Sequence, residues 1–291
     1  MRTLLEKSVP LLAWAGFTVL AGALAAILGY IVMRSWAVLH LSLLFGDVAP
    51  IDAIFLRHPV FDGLFPAVAG TFLLVLIAVL LAVPVGMAAG IYLAEYAGYR
   101  MKSCLSLLFD ILAGLPSVVV GLAGFSLTIL LHKVFPGKIG PCLLLSALAL
   151  CFLILPYLIR TTQTALESVP LSLRQTAPAL GATKLQNICK VLLPSKLTDI
   201  LGGIILAVGR AAEDTAVIML TGVVASAGIP RSLFEQFEAL PFYIYYISSQ
   251  YTNAEELQTG FGAAMLLLVL CGILFLLAFF TQQTLSRHFR R

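Results

Sequence analysis

The chain has 291 residues, of which 60% are hydrophobic and 11% charged, and its mean hydropathy is +1.03. A soluble domain carries roughly 25% charged residues, so this composition excludes a protein whose whole surface faces water. The net charge of +4 comes from basic residues spread along the chain, which argues against a nucleic-acid partner. The five cysteines form no C-x-x-C pair and no cluster with histidine, so we expect no metal site.

Six apolar segments are each long enough to cross a bilayer as a helix, which takes about 20 residues. They are too continuous for the alternating pattern of a membrane β-barrel. We therefore predict an all-α polytopic membrane protein of six transmembrane helices. The predicted spans are residues 9–33, 67–95, 103–131, 141–159, 197–225 and 259–281. The first segment exceeds the apolar core of a signal peptide, about 7–15 residues, so we expect it to be retained as a span.

Basic residues indicate the orientation, because cytoplasmic segments are enriched in Lys and Arg. With the N-terminus inside, the cytoplasmic segments contain twelve of them: Arg2, Lys7, Arg100, Lys102, Arg160, Arg174, Lys184, Lys190, Lys196, Arg287, Arg290 and Arg291. The outer segments contain five: Arg34, Arg57, Lys133, Lys138 and Arg231. We therefore predict that both termini and the polar loop 160–196 are cytoplasmic. Residues 1–66 would hold the first span and an outer loop, and residues 67–291 a five-helix core.

The loop between the fourth and fifth spans has the pattern of two short helices. Pro170 suits a first helical turn, where its missing N–H has no partner to lose. Gly181 suits a helix end, because glycine adopts left-handed backbone readily. Thr183 and Gln186 have capping-box spacing for a second helix, which Pro194 is expected to interrupt. An ordinary amphipathic helix pair at the membrane surface would have the same pattern.

Three ionisable residues fall in the fifth predicted span. Arg210, Glu213 and Asp214 are spaced i, i+3 and i+4, so they share one helix face. Such residues usually face the bundle interior or a wet cavity. Arg210 can bind a tetrahedral oxyanion through its fork of donors, or it can form a static pair with Asp214. Because one arginine and two acids sum to −1, we expect one acid to be protonated or to pair across a subunit interface.

The third predicted span contains an acid and a possible break. Asp110 lies about a turn inside it, where the dipole of a helix N-terminus favours an acid. Gly114, Pro116 and Gly121 permit a broken helix near the midplane, as transporters use for binding sites, and equally suit close helix packing. Ser117 can donate to an oxyanion, although such a serine more often bonds its own helix.

The loop resembles a segment of the permeases of bacterial ABC importers. That family carries E-A-A, three residues, G, nine residues, I, one residue and L-P. The matching residues here are Gln175-Thr176-Ala177, Gly181 and Val191-Leu192-Leu193-Pro194. Two further segments, Arg210–Ala216 and Asp110–Gly121, resemble the phosphate branch and its PstA-type subunit. The resemblance covers roughly residues 72–221.

The chain departs from the family pattern at several positions. Gln175 and Thr176 replace Glu and Ala, which removes a charge that can pair with an ATPase. Pro178 lies within the first helix of the loop and is expected to bend it. Glu213 stands where the family usually has Gly, and Asp214 where it has Glu. The extra acid leaves another oxyanion, such as phosphonate, open as the substrate.

The resemblance implies a type I importer (MetI-like) permease fold and a role as half of the pathway of an ATP-driven phosphate importer in the bacterial inner membrane. It implies that loop 170–194 docks on an ATPase through Arg174, Gln175, Ala177, Gly181, Ala182 and Pro194. The pathway or gating residues it implies are Arg210, Glu213, Asp214, Ser117 and Asp110. The implied partners are a PstC-type second permease, a PstB-type ATPase dimer and a PstS-type external phosphate-binding protein.

We expect neither a cofactor nor a catalytic residue in this chain. It lacks G-x-x-x-x-G-K-[ST], so ATP would be used by the partner ATPase. Its histidines are dispersed and H-E-x-x-H is absent, which argues against an intramembrane enzyme. A self-contained secondary transporter using Glu213 and Asp214 as ion sites is the remaining alternative, and the loop counts against it.

Overall fold

The structure is a computed structural model that describes residues 2–54, 60, 63–135 and 140–289. Its helices are α1 (Arg2–Ser35), α2 (Leu41–Phe45), α3 (Pro50–Ile54), α4 (Phe65–Ile91), α5 (Tyr99–Ala113), α6 (Ser117–Val134), α7 (Leu143–Glu167), α8 (Leu171–Ala179), α9 (Lys184–Asn187), α10 (Leu193–Glu213), α11 (Ala216–Thr221), α12 (Leu240–Gln250) and α13 (Ala254–Phe289). Within the described residues the only β-type contact is an isolated bridge between Val223 and Phe237. The all-α prediction is confirmed. Four residues used in the charge count lie outside the described residues: Arg57, Lys138, Arg290 and Arg291.

Six helical segments are long and apolar enough to cross a membrane, which confirms the predicted number of spans. They are Pro10–Ser35, Phe65–Tyr96, Ser117–Val134, Leu143–Glu167, Lys184–Glu213 and Ala254–Thr284. The fourth of these, α7, is the most buried and contacts α4, α5, α6, α10 and α11. It is therefore the central helix of the bundle.

The predicted bounds of the third and fifth spans are wrong, because each contains a helix break. Residues 103–131 belong to two helices, since Gly114-Leu115-Pro116 separates α5 from α6. Residues 197–225 break at Asp214, whose extended backbone (φ −75°, ψ 118°) ends α10 before the short α11 begins. The first break confirms the broken helix that Gly114 and Pro116 indicated. Apolar composition runs through both breaks, so hydropathy alone cannot detect them.

The segment 226–258, between the fifth and sixth predicted spans, contains α12, which packs on α13 and α4. One loop prediction is corrected, because Pro194 does not interrupt the second helix of loop 160–196. A π-helical turn, Ile188–Leu192, joins α9 to α10, and Pro194 falls in the first turn of α10, where a missing N–H is tolerated.

Glycines bring α4 and α7 into close contact. A Cβ added to Gly86 would lie 2.7 Å from Leu158 Cβ, and one added to Gly90 would lie 2.6 Å from Thr162 Cβ. The two glycines are four residues apart and so lie on one face of α4. Association of helices in lipid relies on such small residues, and here they attach α4 to the central helix.

The segment between α11 and α12 folds over the end of the bundle at which α7 begins. Phe237 is fully buried in the core between α4 and α7. The backbone N–H of Leu240 donates to Thr71 Oγ1 of α4 at 2.9 Å. The Glu238 carboxylate accepts the backbone N–H of Gly228 at 2.7 Å, and burial raises the pKa of Glu238 although this bond opposes the shift. This segment is therefore part of the folded body.

Helix α1 has little contact with the rest of the chain. The most apolar stretch of the helix is not buried against other helices. The helix contacts α13, where the rings of Tyr30 and Phe261 lie 5.6 Å apart. The division of the chain into residues 1–66 and 67–291 stays a prediction.

We predict that Gly90→Val lowers the melting temperature of the purified protein in detergent. The side chain would overlap Thr162 and the Ile159 carbonyl, and such overpacking costs about 1–3 kcal/mol. Gly202→Ala is the matched control, because nothing lies within 4 Å of the Cβ that it adds. Equal melting temperatures for the two variants would contradict the close contact of α4 and α7.

Candidate functional site

Arg210, Glu213 and Asp214 meet at the C-terminal end of α10, where the structure confirms their shared helix face. Arg210 Nη1 lies 3.5 Å from Glu213 Oε1, and Nη2 lies 4.0 Å from Asp214 Oδ2. The Nε of Arg210 is buried and has no hydrogen-bond partner. Because both contacts are long and one donor is unused, the guanidinium retains capacity for another anion.

The two acids beside Arg210 have different environments. The Asp214 side chain is 3% exposed, and its Oδ1 accepts the backbone N–H of Val217 at 2.9 Å. This bond caps the N-terminus of α11 and supports the break after α10. The Glu213 side chain is 62% exposed, and within the described residues its one hydrogen bond or ion pair is the contact with Arg210. The Asp214 side chain is therefore held at the helix break by its hydrogen bond, whereas the Glu213 side chain is free to change its conformation.

A cavity of about 390 Å³ lies beside Arg210, between α7, α10 and α13. Its lining residues are Tyr157, Thr161, Gly203, Leu206, Ala207, Gly209, Arg210, Glu213 and Phe275. This volume is many times that of one water, about 30 Å³. Arg210 and Glu213 thus face a space that can hold water and an ion, as expected for charged residues in a span.

Asp110 lies away from this cavity. It is in the last turn of α5, so the predicted N-terminal dipole role is wrong, since an acid at a helix C-terminus is disfavoured. Arg160 of α7 compensates it, with Nε and Nη2 each 2.8 Å from a carboxylate oxygen of Asp110. Sequence reasoning missed this pair because its members are 50 residues apart.

The break between α5 and α6 lies at the level of the Arg210 cavity. The hydroxyl of Tyr157, near the middle of α7, donates to the Ala113 carbonyl at 3.1 Å, and Tyr157 also lines the cavity. Ser117 begins α6 just beyond the break. A Cβ on Gly121 would lie 2.9 Å from the Ala216 carbonyl, so this glycine packs α6 against α11. Tyr157 therefore contacts the break after α5 and also lines the cavity beside α10. Ser117 is not among the residues that line this cavity.

The loop between the fourth and fifth spans forms the predicted pair of helices, α8 and α9. Gly181 has φ +83°, the left-handed conformation expected at a helix end. The Thr183 side chain and Gln186 form the predicted capping box, with bonds of 3.3 and 2.9 Å. Pro170 is the residue before α8 and not in its first turn, one position earlier than predicted.

Pro178 lies in the last turn of α8, which ends one residue later at Ala179. The predicted bend is absent, because no further turn of helix follows the proline. Proline cannot donate to the Arg174 carbonyl four residues earlier. The buried side chain of Asn187, at the end of α9, donates its Nδ2 to that carbonyl at 3.0 Å. Asn187 thus replaces the bond that Pro178 removes, a role that the sequence analysis missed.

The residues expected to contact an ATPase differ in exposure. Gln175 and Gly181 are exposed, and Ala177, Ala182 and Pro194 are half-buried. The tip of the loop is apolar, since Leu180 is 85% exposed. The side chain of Arg174 turns inward, where it donates to the carbonyls of Leu166 and Val169 and pairs with Glu95.

Comparisons with known proteins agree with this architecture. Residues 86–291 match the family described as the binding-protein-dependent transport system inner membrane component. The phosphate transport system permease protein PstA of Haemophilus influenzae is 35% identical over 76% of this chain and 77% of its own length. PstA 1 of Mycobacterium tuberculosis is 33% identical over 78% of this chain and 72% of its own length.

Solved structures share the fold at low identity. A chain of a bacterial ABC transporter involved in the import of the acidic polysaccharide alginate has a TM-score of 0.60 and 14% identity, with 92% of this chain and 96% of that chain covered. A chain of the inward-facing MetNI methionine transporter has a TM-score of 0.53 and 19% identity, with 84% and 100% covered. The predicted MetI-like permease fold is therefore confirmed. The chain belongs to the family of binding-protein-dependent transport system inner membrane components, together with the PstA permeases.

Proposed function

We propose that this chain is a permease subunit of an ATP-driven importer of inorganic phosphate and forms half of its translocation pathway. The observation that carries the proposal is Arg210, a charged side chain in a membrane span that has an unpartnered donor and faces a cavity. The names of the PstA relatives support phosphate as the anion. A guanidinium suits a tetrahedral oxyanion because its planar donors match two oxygens at once.

The two acids would have different roles at this site. Asp214 keeps its bond to Val217 and maintains the helix break, while exposed Glu213 gives up its 3.5 Å contact when the anion arrives. Arg210 cannot balance both acids and an anion together. Glu213 therefore turns away from Arg210, or pairs across the subunit interface, while phosphate passes.

Energy would come from a PstB-type ATPase dimer that docks on loop 170–194, so this chain binds no nucleotide or other cofactor of its own. The exposed apolar tip at Leu180 supports docking, because an unpaired apolar side chain at the end of a helix suits a cleft on a partner. A PstC-type permease would complete the pathway, and a PstS-type protein would deliver phosphate to the outer segment around residues 222–239. Both termini lie in the cytoplasm in this arrangement.

We predict that Arg210→Ala reduces phosphate uptake by about 10- to 100-fold, the loss expected for a charged hydrogen bond of about 1.5–3 kcal/mol. Radiolabelled phosphate uptake in a strain that lacks the native permease measures it. Arg100→Ala, which removes an exposed positive charge at the start of α5, is the control and keeps normal uptake. Normal uptake by Arg210→Ala, with equal complex recovery, would refute the role. If methylphosphonate competes with radiolabelled phosphate as strongly as unlabelled phosphate does, inorganic phosphate is not the specific substrate.

We predict that Leu180→Asp abolishes co-purification of the ATPase while the permease is recovered normally. The side chain is 85% exposed, so folding is unaffected, whereas a charge at the centre of an interface costs about 2 kcal/mol or more. Leu233→Asp alters an exposed leucine of the outer segment and is the control. Retention of the ATPase by Leu180→Asp would argue against docking through this tip.

A further inference from the structure

We propose that Glu95 and Asn187 are positioning residues, which hold Arg174 so that the coupling helices α8 and α9 move as one body with α4, α7 and α10. The inference rests on the proposed docking of loop 170–194. Glu95 lies in a π-helical turn, Tyr92–Tyr96, that follows α4 at its cytoplasmic end. Neither residue is part of the loop motif from which coupling is usually inferred.

Glu95 contacts both coupling helices. Its carboxylate pairs with the guanidinium of Arg174 in α8. Its backbone carbonyl accepts the Lys184 ammonium at the start of α9. The same ammonium lies 4.5 Å from the ring centroid of Tyr96, within the range of a cation–π contact. One residue at the end of α4 therefore holds the two helices on either side of Gly181.

The pair between Glu95 and Arg174 is well shielded from water. Their side chains are 10% and 20% exposed, whereas those of Asp199 and Lys196, a surface pair on α10, are 54% and 25% exposed. Exposed pairs contribute little to stability, but removal of one partner from a shielded pair leaves an uncompensated charge. Loss of Glu95 should therefore displace Arg174.

Arg174 also contacts the two other elements of this body. Its guanidinium donates to the carbonyls of Leu166 and Val169, at the end of α7. Its own carbonyl accepts Asn187, which leads through the π-helical turn into α10. An apolar cluster of Leu166, Val169, Ile188 and Leu192 lies beneath these bonds. Arg174 thus joins α8 to α4, α7 and α10 at one point.

This arrangement gives the ATPase two routes to the pathway. The covalent route runs from α8 through residues 168–170 to α7, and from α9 through the π-helical turn to α10 and Arg210. The second route runs through Arg174 and Glu95 to α4, which packs on α7, where Tyr157 lines the cavity beside Arg210. With Glu95 changed, α8 and α9 would still follow α7 and α10 but would no longer move α4, and with Asn187 changed they would no longer move as one body. Nucleotide hydrolysis would then continue with less transport.

The test is Glu95→Gln, which preserves side-chain shape and removes the charge. In proteoliposomes containing the complete transporter, we expect normal ATPase recovery and continued hydrolysis. The ratio of phosphate transported to ATP hydrolysed should fall about fivefold or more, the usual size of a coupling between sites. Asp199→Asn, which removes an exposed carboxylate on α10, should retain the wild-type ratio. A wild-type ratio for Glu95→Gln overturns the inference, and so does loss of ATPase binding, which would make Glu95 a docking residue.

If the Glu95→Gln protein cannot be purified, a second variant tests the inference. Asn187→Leu is close in volume and should lower the same ratio, because the Arg174 carbonyl loses its donor. Pro178→Ala supplies a backbone N–H to that carbonyl, so the double variant should regain the wild-type ratio. Failure to regain it overturns the inference. ATPase retention by Leu180→Asp would instead refute docking itself, so the two failures are distinguishable.

Discussion

Backbone groups left unpaired at helix breaks are the constraint on which this structure depends. In hydrocarbon, an unsatisfied N–H or carbonyl costs several kcal/mol, yet the chain breaks its helices repeatedly. Side chains bond to the backbone at four of these breaks: Tyr157 at the end of α5, Asp214 before α11, Asn187 beside Pro178 and Thr71 at the start of α12. The first two lie within the apolar part of the chain, where irregular backbone depends most on such partners.

The helix breaks also determine where charge can lie. Arg210 and Asp214 sit where α10 ends, and Asp110 sits where α5 ends. Arg160 lies in the unbroken helix α7 and reaches the end of α5 through its pair with Asp110. The acid that caps α11 is thereby prevented from pairing closely with Arg210. As a result the arginine beside the cavity is only partly neutralised, which is the condition for binding a mobile anion in a site of low polarity.

Local patterns in the sequence were sufficient for the number of spans, the capping box at Thr183, the left-handed Gly181 and the common face of Arg210 and Asp214. They failed where the determining contact is distant. Asp110 was assigned to a helix start because the third span was drawn through the break after Ala113, and its pair with Arg160 of α7 cannot be predicted from spacing. The contact of Arg174 with Glu95 was missed for the same reason, and the docking of Arg174 on an ATPase stays a prediction. Span bounds failed because a break changes backbone direction without changing hydropathy.

The π-helical turn Ile188–Leu192 has a consequence for the geometry of the pathway. A π-helical turn places one extra residue in a helix, and one residue corresponds to about 100° of rotation at 3.6 residues per turn. Every side chain of α10 therefore points about 100° away from where an uninterrupted helix starting at Lys184 would direct it. The direction in which Arg210 faces is thus fixed at the N-terminal end of its helix, beside α8 and α9 and far from the cavity. A single-residue change in chain length there alters which residues line the pathway, with no substitution in the pathway itself.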